Sequence, residues 1–283
     1  MGGFTDGWWT EKAGHRRPTA AFSQGNLHEH DFTDSWTPDS RQSWKSHGGG
    51  HNGQPHDAKK RSCIVPFPDQ SEYLSRLLDD PRIHDIVASL CGNDFNYFTG
   101  DGNLYTSDTG WHSDGFIRNR ILSIKMAFYL DPSTRDTGAL RVIPGSHLDG
   151  DAYAETVEEQ VRESESHWGI TGAHVPSVAL ETVPGDVVVF NHNLKHAAFG
   201  GSGRRRMFTM NFSQRYPEDR LDELRANLLN EARHWIDRIH GEAMIRTAGP
   251  ERWIHLEQVR DNDKHLGERL RELKKTMTEP SRG

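Results

Sequence analysis

The clearest pattern in the chain is an alternation of apolar and mixed positions over residues 121–130. Side chains two positions apart share one face of a β-strand, so the alternation predicts a strand with two different faces. The apolar face consists of Leu122, Ile124, Met126, Phe128 and Leu130. The mixed face consists of Ser123, Lys125, Ala127 and Tyr129. We therefore predict that the apolar face packs on a core and that the mixed face lines a polar site.

Further short apolar runs predict the remaining strands. They are residues 94–105, 139–143, 178–183, 187–190 and 207–212. Their hairpin-like spacing, with turn-forming residues between them, is typical of a β-sandwich or jelly roll. The polar segment 151–175 interrupts the series, and we predict that it forms an excursion over the site.

Helical spacing of apolar residues marks two other parts of the chain. Residues 70–90 predict one or two helices, with Pro81 as an interruption or a fresh start. After the last strand, an apolar stripe over residues 221–239 predicts one long helix. A thinner stripe over residues 251–277 predicts a second helical stretch that packs on the β-domain or on a second subunit.

These patterns divide the chain into three parts. Residues 1–60 are rich in Gly, His, Ser and Asp without sustained periodicity, which predicts an irregular segment packed on the core. Residues 61–216 form the predicted β-domain, and residues 217–283 form a predicted C-terminal helical extension. The predicted fold class is therefore mainly β with flanking helices.

Composition narrows the choice of partner and compartment. The 283 residues carry a formal net charge of -7, which argues against broad nucleic-acid or anionic-membrane surfaces and favours a small-molecule partner. No run of about twenty apolar residues is present and the N-terminus lacks the order of a signal peptide, so we expect a cytoplasmic protein. Cys63 and Cys91 lack C-x-x-C spacing and are too few for a disulfide framework, which predicts buried thiols.

The candidate chemistry begins at the motif Trp111-His112-Ser113-Asp114. A histidine and a carboxylate two positions apart in extended backbone point the same way, so His112 and Asp114 are candidates to hold one metal ion. His-x-Asp alone is a weak signal, and it recurs at His147-Leu148-Asp149 directly after a turn. The first copy is favoured because a predicted strand follows it and His196 and a triple arginine lie downstream. Two histidines, one carboxylate and a later arginine suggest a non-haem iron oxygenase.

These motifs resemble the phytanoyl-CoA dioxygenase family of iron(II)- and 2-oxoglutarate-dependent oxygenases. The resemblance spans about residues 95–215, and the run from Gly138 to His147, GALRVIPGSH, is distinctive for the family. Its other parts are residues 111–114, residues 126–131, residues 185–190 before His196, and Arg205 onward. The resemblance implies a double-stranded β-helix, the jelly-roll core also found in cupins. It further implies a metal triad of His112, Asp114 and His196, with Fe(II), 2-oxoglutarate and O2 as cofactors.

The resemblance also bears on the alternatives. His192 competes with His196, because both follow the strand predicted at residues 187–190, and family spacing favours His196. His192 is then a loop residue or a neighbour of the ligands. Halogenating relatives have a small residue in place of Asp114, so this aspartate favours hydroxylation. Two departures concern residues 1–60, which do not resemble the family, and Ala198, which stands where the family often has a hydroxyl residue.

One arginine of the Arg204-Arg205-Arg206 triplet is predicted to bind the far carboxylate of 2-oxoglutarate, because guanidinium offers a fixed fork of donors. Arg205 shares the more polar strand face with Thr209 and Asn211, and the family also has its arginine there. Arg206 is the alternative, and a solvated run of charges is another.

Further residues on the inward faces are candidates for binding. Lys125 and Asn103 are candidate cofactor contacts, although Lys125 could instead extend to the edge of the sheet. The candidate substrate contacts are Tyr105, Trp111, Tyr129 and Asn211. For each of these side chains the alternative is a packing role.

The sequence thus predicts a dioxygenase that hydroxylates a small polar or amphipathic metabolite and releases succinate and CO2. Desaturation, epoxidation, cyclisation and demethylation by the same chemistry stay open. The alternatives from other classes are a metal-binding jelly-roll sensor and a cupin-type isomerase or hydrolase. The charged C-terminal helices also suggest a homo-oligomer.

Overall fold

Two antiparallel β-sheets form the centre of the structure. A computed structural model describes residues 61–114, 120–201 and 205–282. The strands are β1 (Ser62–Ile64), β2 (Asn96–Tyr97), β3 (Gly102–Tyr105), β4 (Thr109–His112), β5 (Ser123–Tyr129), β6 (Leu140–Val142), β7 (Val178–Leu180), β8 (Val187–Asn191), β9 (His196–Ala198) and β10 (Arg205–Ser213). One sheet has the order β1-β3-β10-β5-β8 with β2 paired to β10, and the other has the order β4-β9-β6-β7. Strands distant in sequence are neighbours in both sheets, which confirms the predicted jelly-roll fold.

The strand predicted from alternation is β5, and its two faces differ as expected. Ile124 and Met126 on the apolar face are buried in a hydrophobic cluster with Ile83, Val87 and Cys91. The mixed face lines a cavity through Ser123, Lys125, Ala127 and Tyr129. The longest strand, β10, pairs with β5, so that Asn211 lies opposite Lys125. The polar faces of the two strands therefore lie side by side at the cavity.

Short helices surround the sheets. They are α1 (Glu72–Ser75), α2 (Pro81–Cys91), α3 (Ala152–Gln160), α4 (Ser164–Trp168), α5 (Leu221–Glu231), α6 (Glu242–Arg246), α7 (Pro250–Trp253), α8 (Glu257–Asn262) and α9 (Leu266–Leu273). α2 begins after Asp80, whose side chain accepts a hydrogen bond of 2.9 Å from the Arg82 N–H. Pro81 occupies its first turn, where no N–H is needed. The two helices α1 and α2 agree with the prediction for residues 70–90.

The single long helix predicted over residues 221–239 is wrong. α5 ends at Glu231, a short 3-10 turn follows, and Trp235 then adopts a left-handed backbone with a φ of 62°. Ile236 and Ile239 beyond this break are still fully buried. The apolar spacing therefore reflects continued burial in one cluster and not a continuous helix.

The second predicted helical stretch is also divided. Residues 251–277 contain most of α7 and all of α8 and α9 instead of one element. His255 lies at the first break, where its Nδ1 is 2.9 Å from the Phe95 carbonyl. Asp263 lies at the second break, where a carboxylate oxygen accepts a 2.9 Å hydrogen bond from the Ile239 N–H. The breaks between these helices thus coincide with polar contacts to distant parts of the fold, which the local spacing of apolar residues cannot predict.

The C-terminal helices pack against the first strand of the larger sheet. Leu224 and Leu228 of α5 are fully buried in a cluster with Cys63 and Val65. Cys63 and Cys91 are both buried and neither forms a disulfide within the described residues, in agreement with the predicted buried thiols. The polar excursion contains α3 and α4, and its Val157 packs on the smaller sheet.

Some predictions fall on residues outside the described ranges 61–114, 120–201 and 205–282. The irregular segment predicted for residues 1–60 is not among the described residues, and the boundaries at residues 60 and 216 stay predictions. Within the described part of the chain, no helix has the length and apolar character needed to cross a bilayer.

Replacing Leu228 with Ala tests the packing of α5 on the β-domain. We expect the free energy of unfolding to fall by about 2–5 kcal/mol, because the change leaves a cavity in a closed cluster. Chemical denaturation measures the difference. The same change at Leu148, which is 48% exposed, is the control and should cost less than about 0.5 kcal/mol. Equal losses in both variants would contradict the packing.

Candidate metal centre

Strand pairing brings the two predicted histidines together. β4 pairs with β9, and His112 lies directly opposite His196 in the register. Asp114 follows the end of β4 and is held by a hydrogen bond of 3.0 Å from its N–H to the His192 carbonyl. One ligand atom from each of His112, Asp114 and His196 lies within 4.8 Å of the others. Three residues from two separate segments therefore form one potential metal site.

Backbone carbonyls orient both imidazole rings. His112 Nδ1 is 2.8 Å from the Gly110 carbonyl, and His196 Nδ1 is 2.9 Å from the Leu194 carbonyl. A carbonyl accepts from an N–H, so each Nδ1 carries the proton and each Nε2 has a lone pair available for a metal. Burial lowers the pKa of His196 to about 3, against the opposing effect of Asp114. Burial also lowers the pKa of His112, so both rings are neutral at pH 7, the form that binds metal ions.

The two oxygens of Asp114 have different surroundings. Oδ1 accepts a hydrogen bond of 2.9 Å from Lys125 Nζ. Oδ2 is buried, lies 3.5 Å from His196 Nε2, and receives no hydrogen bond from the described residues. Burial would raise the pKa of Asp114, but the Lys125 ammonium beside it holds this pKa well below its usual range. A buried, ionised oxygen without a donor, next to two imidazole lone pairs, fits a bound cation.

Neither competing histidine belongs to this group. His147 is not among the clustered ligand residues, and Asp149 of the second motif forms a 3.6 Å surface ion pair with Arg120. His192 is close to the centre but contributes its backbone carbonyl to Asp114, while its ring lines the neighbouring cavity.

A buried lysine supports the metal motif from behind. Lys195 Nζ donates a hydrogen bond of 2.8 Å to the hydroxyl of Ser113, which lies between His112 and Asp114 in the chain. The same amine forms an ion pair with Glu158 of α3. The Lys195 N–H donates to Ser146 Oγ at 2.9 Å. The excursion and the Pro-Gly-Ser turn are thereby joined to the strand ends that carry the ligands.

A cavity of about 410 Å³ opens beside the candidate ligands. Arg205 lies at one end of it, buried, and its Nε and Nη1 have no hydrogen-bond partner among the described residues. Gly138 makes room for this side chain, because a Cβ there would lie 2.1 Å from Arg205 Nη1. Tyr105 and Tyr129 also line the cavity, and the Tyr105 ring centre is 4.7 Å from Arg205 Cζ. Buried guanidinium N–H groups without acceptors suit a carboxylate ligand.

Two predicted site residues point away from the cavity. Arg206 forms a double ion pair with Asp131 on the other face of β10, with distances of 2.8 Å from Nη2 and 3.1 Å from Nε. Trp111 packs with Val157 and Ile143, and its Nε1 donates to the Gly172 carbonyl at 2.9 Å. Both residues are next in sequence to a residue that faces the cavity. Alternation along a strand therefore places them on the opposite face, which corrects their predicted roles.

The predicted role of Asn103 as a cofactor contact is also corrected, and the cavity residues beside it, Arg61 and Asp101, were not predicted. The side-chain oxygen of Asn103 accepts hydrogen bonds of 2.9 and 2.6 Å from Arg61, and Arg61 lines the cavity in its place. Arg61 also donates to Asp101 at 2.9 Å, and Thr209 Oγ1 donates to the same carboxylate. Burial would raise the pKa of Asp101, but Lys125 and Arg61 with two side-chain donors lower it to about 2.

The sequence contained a signal for only some of these residues. Thr209 lies on the inward face already assigned to Arg205, so alternation places it at the cavity. Asp101 is two positions before Asn103, at the start of β3. Arg61 precedes the first short strand without any motif, and only tertiary structure brings it to the site. The predicted residues Lys125, Tyr105, Tyr129 and Asn211 all line the cavity.

A family comparison identifies the group of proteins to which this geometry belongs. The family model described as phytanoyl-CoA dioxygenase (PhyH) matches residues 55–207, more than half of the chain. The chain belongs to the phytanoyl-CoA dioxygenase family. The matched region includes all three residues of the candidate metal centre and ends within β10.

Relatives of this phytanoyl-CoA dioxygenase family member share only part of its length. Ectoine dioxygenase of Sphingopyxis alaskensis is 33% identical over 171 residues, which are 52% of this chain and 55% of that protein. An uncharacterized protein of Mycobacterium tuberculosis is 31% identical over 108 residues, 38% of this chain and 34% of that protein. The chain therefore spans about half or less of the curated relatives that it matches.

Solved structures similar to this family member include EctD from S. alaskensis in its apo form. That match has 25% identity and a TM-score of 0.41, and it covers 54% of this chain and 57% of that one. The α-ketoglutarate-dependent epimerase SnoN from nogalamycin biosynthesis has 18% identity and a TM-score of 0.44, with 62% and 71% coverage. Both scores are below 0.5, so the fold assignment rests on the strand order.

Replacing Lys125 with Met tests how the aspartate is held. We expect metal affinity to fall about 10- to 100-fold, because the residue that orients a ligand oxygen is lost. Titration with Zn(II) against a competing chelator measures the affinity. Lys275→Met, the same change at an exposed lysine, is the control and should leave the affinity unchanged. Equal affinity of Lys125→Met and the unaltered protein would refute the role.

Proposed function

We propose that this protein is a dioxygenase that uses iron(II) and 2-oxoglutarate to hydroxylate a small polar or amphipathic molecule. The observation that carries the proposal is the convergence of His112, Asp114 and His196, with no donor to Asp114 Oδ2 among the described residues. Two imidazoles and one carboxylate occupy one face of an octahedral ion and leave three positions open, as is typical of non-haem Fe(II) oxygenases. The relative named ectoine dioxygenase supports the same reaction class.

The residues of the chain bind and orient in this mechanism. Iron(II), together with 2-oxoglutarate and O2, supplies the oxidising chemistry that removes hydrogen from a C–H bond, with succinate and CO2 as co-products. Lys125 holds one oxygen of Asp114, so that the other is left to bind the metal. Arg205 binds the far carboxylate of 2-oxoglutarate through its unpartnered N–H groups.

Two features favour this function over the alternatives. A metal-binding sensor or a cupin-type isomerase or hydrolase gives no ligand to Arg205, whose buried N–H groups need an acceptor. Asp114 occupies the carboxylate position of the triad, which favours hydroxylation over halogenation. Ala198, which stands where the family often has a hydroxyl residue, lines the cavity together with Arg205. Tyr105 and Tyr129 line the same cavity and carry hydroxyl groups.

A spectroscopic experiment tests the proposed function. Iron(II) and 2-oxoglutarate are added without oxygen, and we expect a visible charge-transfer band from the chelate. Admission of air should then release succinate. His112→Ala should abolish both signals, because it removes one metal ligand, whereas His147→Ala should retain both. The absence of both signals in the unaltered protein would overturn the proposal, and their loss in His147→Ala would overturn the choice of ligands.

The two neighbouring arginines provide a matched test of the oxo-acid site. Arg205→Gln should raise the 2-oxoglutarate concentration that half-saturates the chelate band about 10- to 100-fold, since hydrogen bonds to charged groups contribute about 1.5–3 kcal/mol each. Arg206→Gln should have little effect, because Arg206 pairs with Asp131 on the opposite face. A larger effect of Arg206→Gln would assign the site to the other arginine.

A further inference from the structure

The cavity continues beyond the candidate metal centre to the C-terminal end of α5. Its wall there includes Asn230 and Glu231 from α5, Arg233 just beyond that helix, and Phe98 just beyond β2. His192 links this region to the metal centre, because its carbonyl accepts from the Asp114 N–H at 3.0 Å and its ring lines the cavity. We call the part of the cavity lined by Thr99, Phe98, Asn230, Glu231 and Arg233 the α5 chamber.

Glu231 differs from the other carboxylates of the cavity. Asp101 accepts a hydrogen bond of 2.9 Å from Arg61, and Asp114 accepts one of 2.9 Å from Lys125. Glu231 is 21% exposed, and the nearest basic side chains among the described residues are Arg233, with Nη1 at 3.9 Å, and His234, with Nε2 at 3.8 Å. Neither distance is that of a hydrogen bond. A largely buried carboxylate in this state gains stability when a donor binds to it.

The two neighbours of Glu231 do not neutralise it closely. Burial lowers the pKa of His234, so its imidazole is uncharged at pH 7. The Arg233 guanidinium approaches Glu231 only at 3.9 Å, which is a long ion pair. Glu231 therefore lines the chamber without a donor at hydrogen-bonding distance among the described residues, and Arg233, which lines the same cavity, forms only a long ion pair with it.

A second buried group in the chamber also lacks a partner. Thr99 is 5% exposed, and its Oγ1 makes no hydrogen bond with the described residues. Asn211 fixes the Thr99 backbone, since its N–H and its Nδ2 donate to the Thr99 carbonyl at 2.8 and 3.0 Å. The Thr99 hydroxyl is thus held in the cavity wall without a partner of its own. Buried polar atoms in this state indicate a ligand with hydrogen-bonding groups.

From these observations we propose that the α5 chamber binds a protonated amine of the substrate, with Glu231 as its counter-charge. Phe98, which also lines the cavity, suits the same group, since the faces of aromatic rings attract cations. The Thr99 hydroxyl accepts a further N–H or O–H from the substrate. Because His192 lies between the chamber and Asp114, the carbon that reacts is a different part of the molecule from its amine. This inference rests on the proposed function in treating the cavity as the substrate site.

Three probes of similar size test the charge preference of the chamber. Cyclohexylamine, cyclohexanol and cyclohexanecarboxylate are added separately to the full chain loaded with Zn(II) and 2-oxoglutarate, and dissociation constants are measured by saturation-transfer NMR. We expect cyclohexylamine to bind about fivefold or more tightly than cyclohexanol, and cyclohexanecarboxylate to bind most weakly. Glu231→Gln should reduce the affinity for the amine to that for the alcohol, because it keeps the shape and removes the charge.

The control variant is Glu223→Gln, the same change on the same helix at a carboxylate that pairs with Arg220 outside the chamber. It should leave the preference for the amine unchanged, and the melting temperatures of both variants check that they are folded. Tighter binding of the carboxylate probe, or an amine affinity that Glu231→Gln does not change, overturns the inference. So does a failure of the amine to bind at all.

The 2-oxoglutarate signals in the same spectra separate the two proposals. If 2-oxoglutarate binds and the amine preference is absent, the inference fails while the proposed function stands. If the amine binds in a Glu231-dependent way and 2-oxoglutarate does not bind, the chamber is supported and the oxygenase function fails.

Discussion

The pairing of β4 with β9 is the constraint on which the candidate metal centre depends. It places His112 opposite His196, although 84 positions separate them in the chain, and it leaves Asp114 at the open end of β4. The ligands are therefore set by a ladder of backbone hydrogen bonds, which is stiffer than a loop. The carbonyls of Gly110 and Leu194, each two residues before a histidine, fix the orientation of the imidazole rings by hydrogen bonds to Nδ1. Backbone geometry thus determines both the position and the tautomer of the imidazoles.

Charges around the site are arranged in close pairs. Lys125 with Asp114, Arg61 with Asp101, and Lys195 with Glu158 are ion pairs that combine a buried or half-buried cation with a carboxylate. Taking a single charge out of water is costly, and a close partner offsets much of that cost. Among the described residues, charged groups of the cavity without a partner at hydrogen-bonding distance include Asp114 Oδ2, Arg205 Nε and Nη1, and the Glu231 carboxylate, whose ion pair with Arg233 is 3.9 Å long. These are the three places along the cavity for which we have proposed a ligand group.

Alternation along strands was the most informative property of the sequence. It separated the two faces of β5 and placed Arg205 with Thr209 and Asn211 at the cavity. The same rule, applied to neighbours, excludes Trp111 and Arg206 from the cavity, because each is adjacent to an inward residue. Arg61 has no such signal, since its position depends on how β1 pairs with β3 and on contacts made 40 residues away.

The spacing of apolar residues also could not predict where each C-terminal helix ends. Ile236 and Ile239 are buried like Leu224 and Leu228, so the spacing of apolar residues persists across Trp235 although the backbone turns there. Which residues are buried was readable from the spacing, but the path between them was not. Asp263 and His255 end helices through hydrogen bonds to distant backbone groups, and no window of neighbouring residues contains those partners.

The position of α5 in the chain has a consequence for how this protein can diversify. The metal ligands and Arg205 all precede the end of β10, whereas Asn230 and Glu231 come after the last strand, in a helix that no sheet hydrogen bond holds in place. Mutations there alter the cavity wall without disturbing the register that aligns the ligands. Substitutions in the C-terminal segment can therefore reshape this wall while the candidate metal ligands keep their positions. One part of the cavity wall is thus inherited separately from the candidate ligands, whereas Phe98 and Thr99 belong to the same stretch of chain as the ligands.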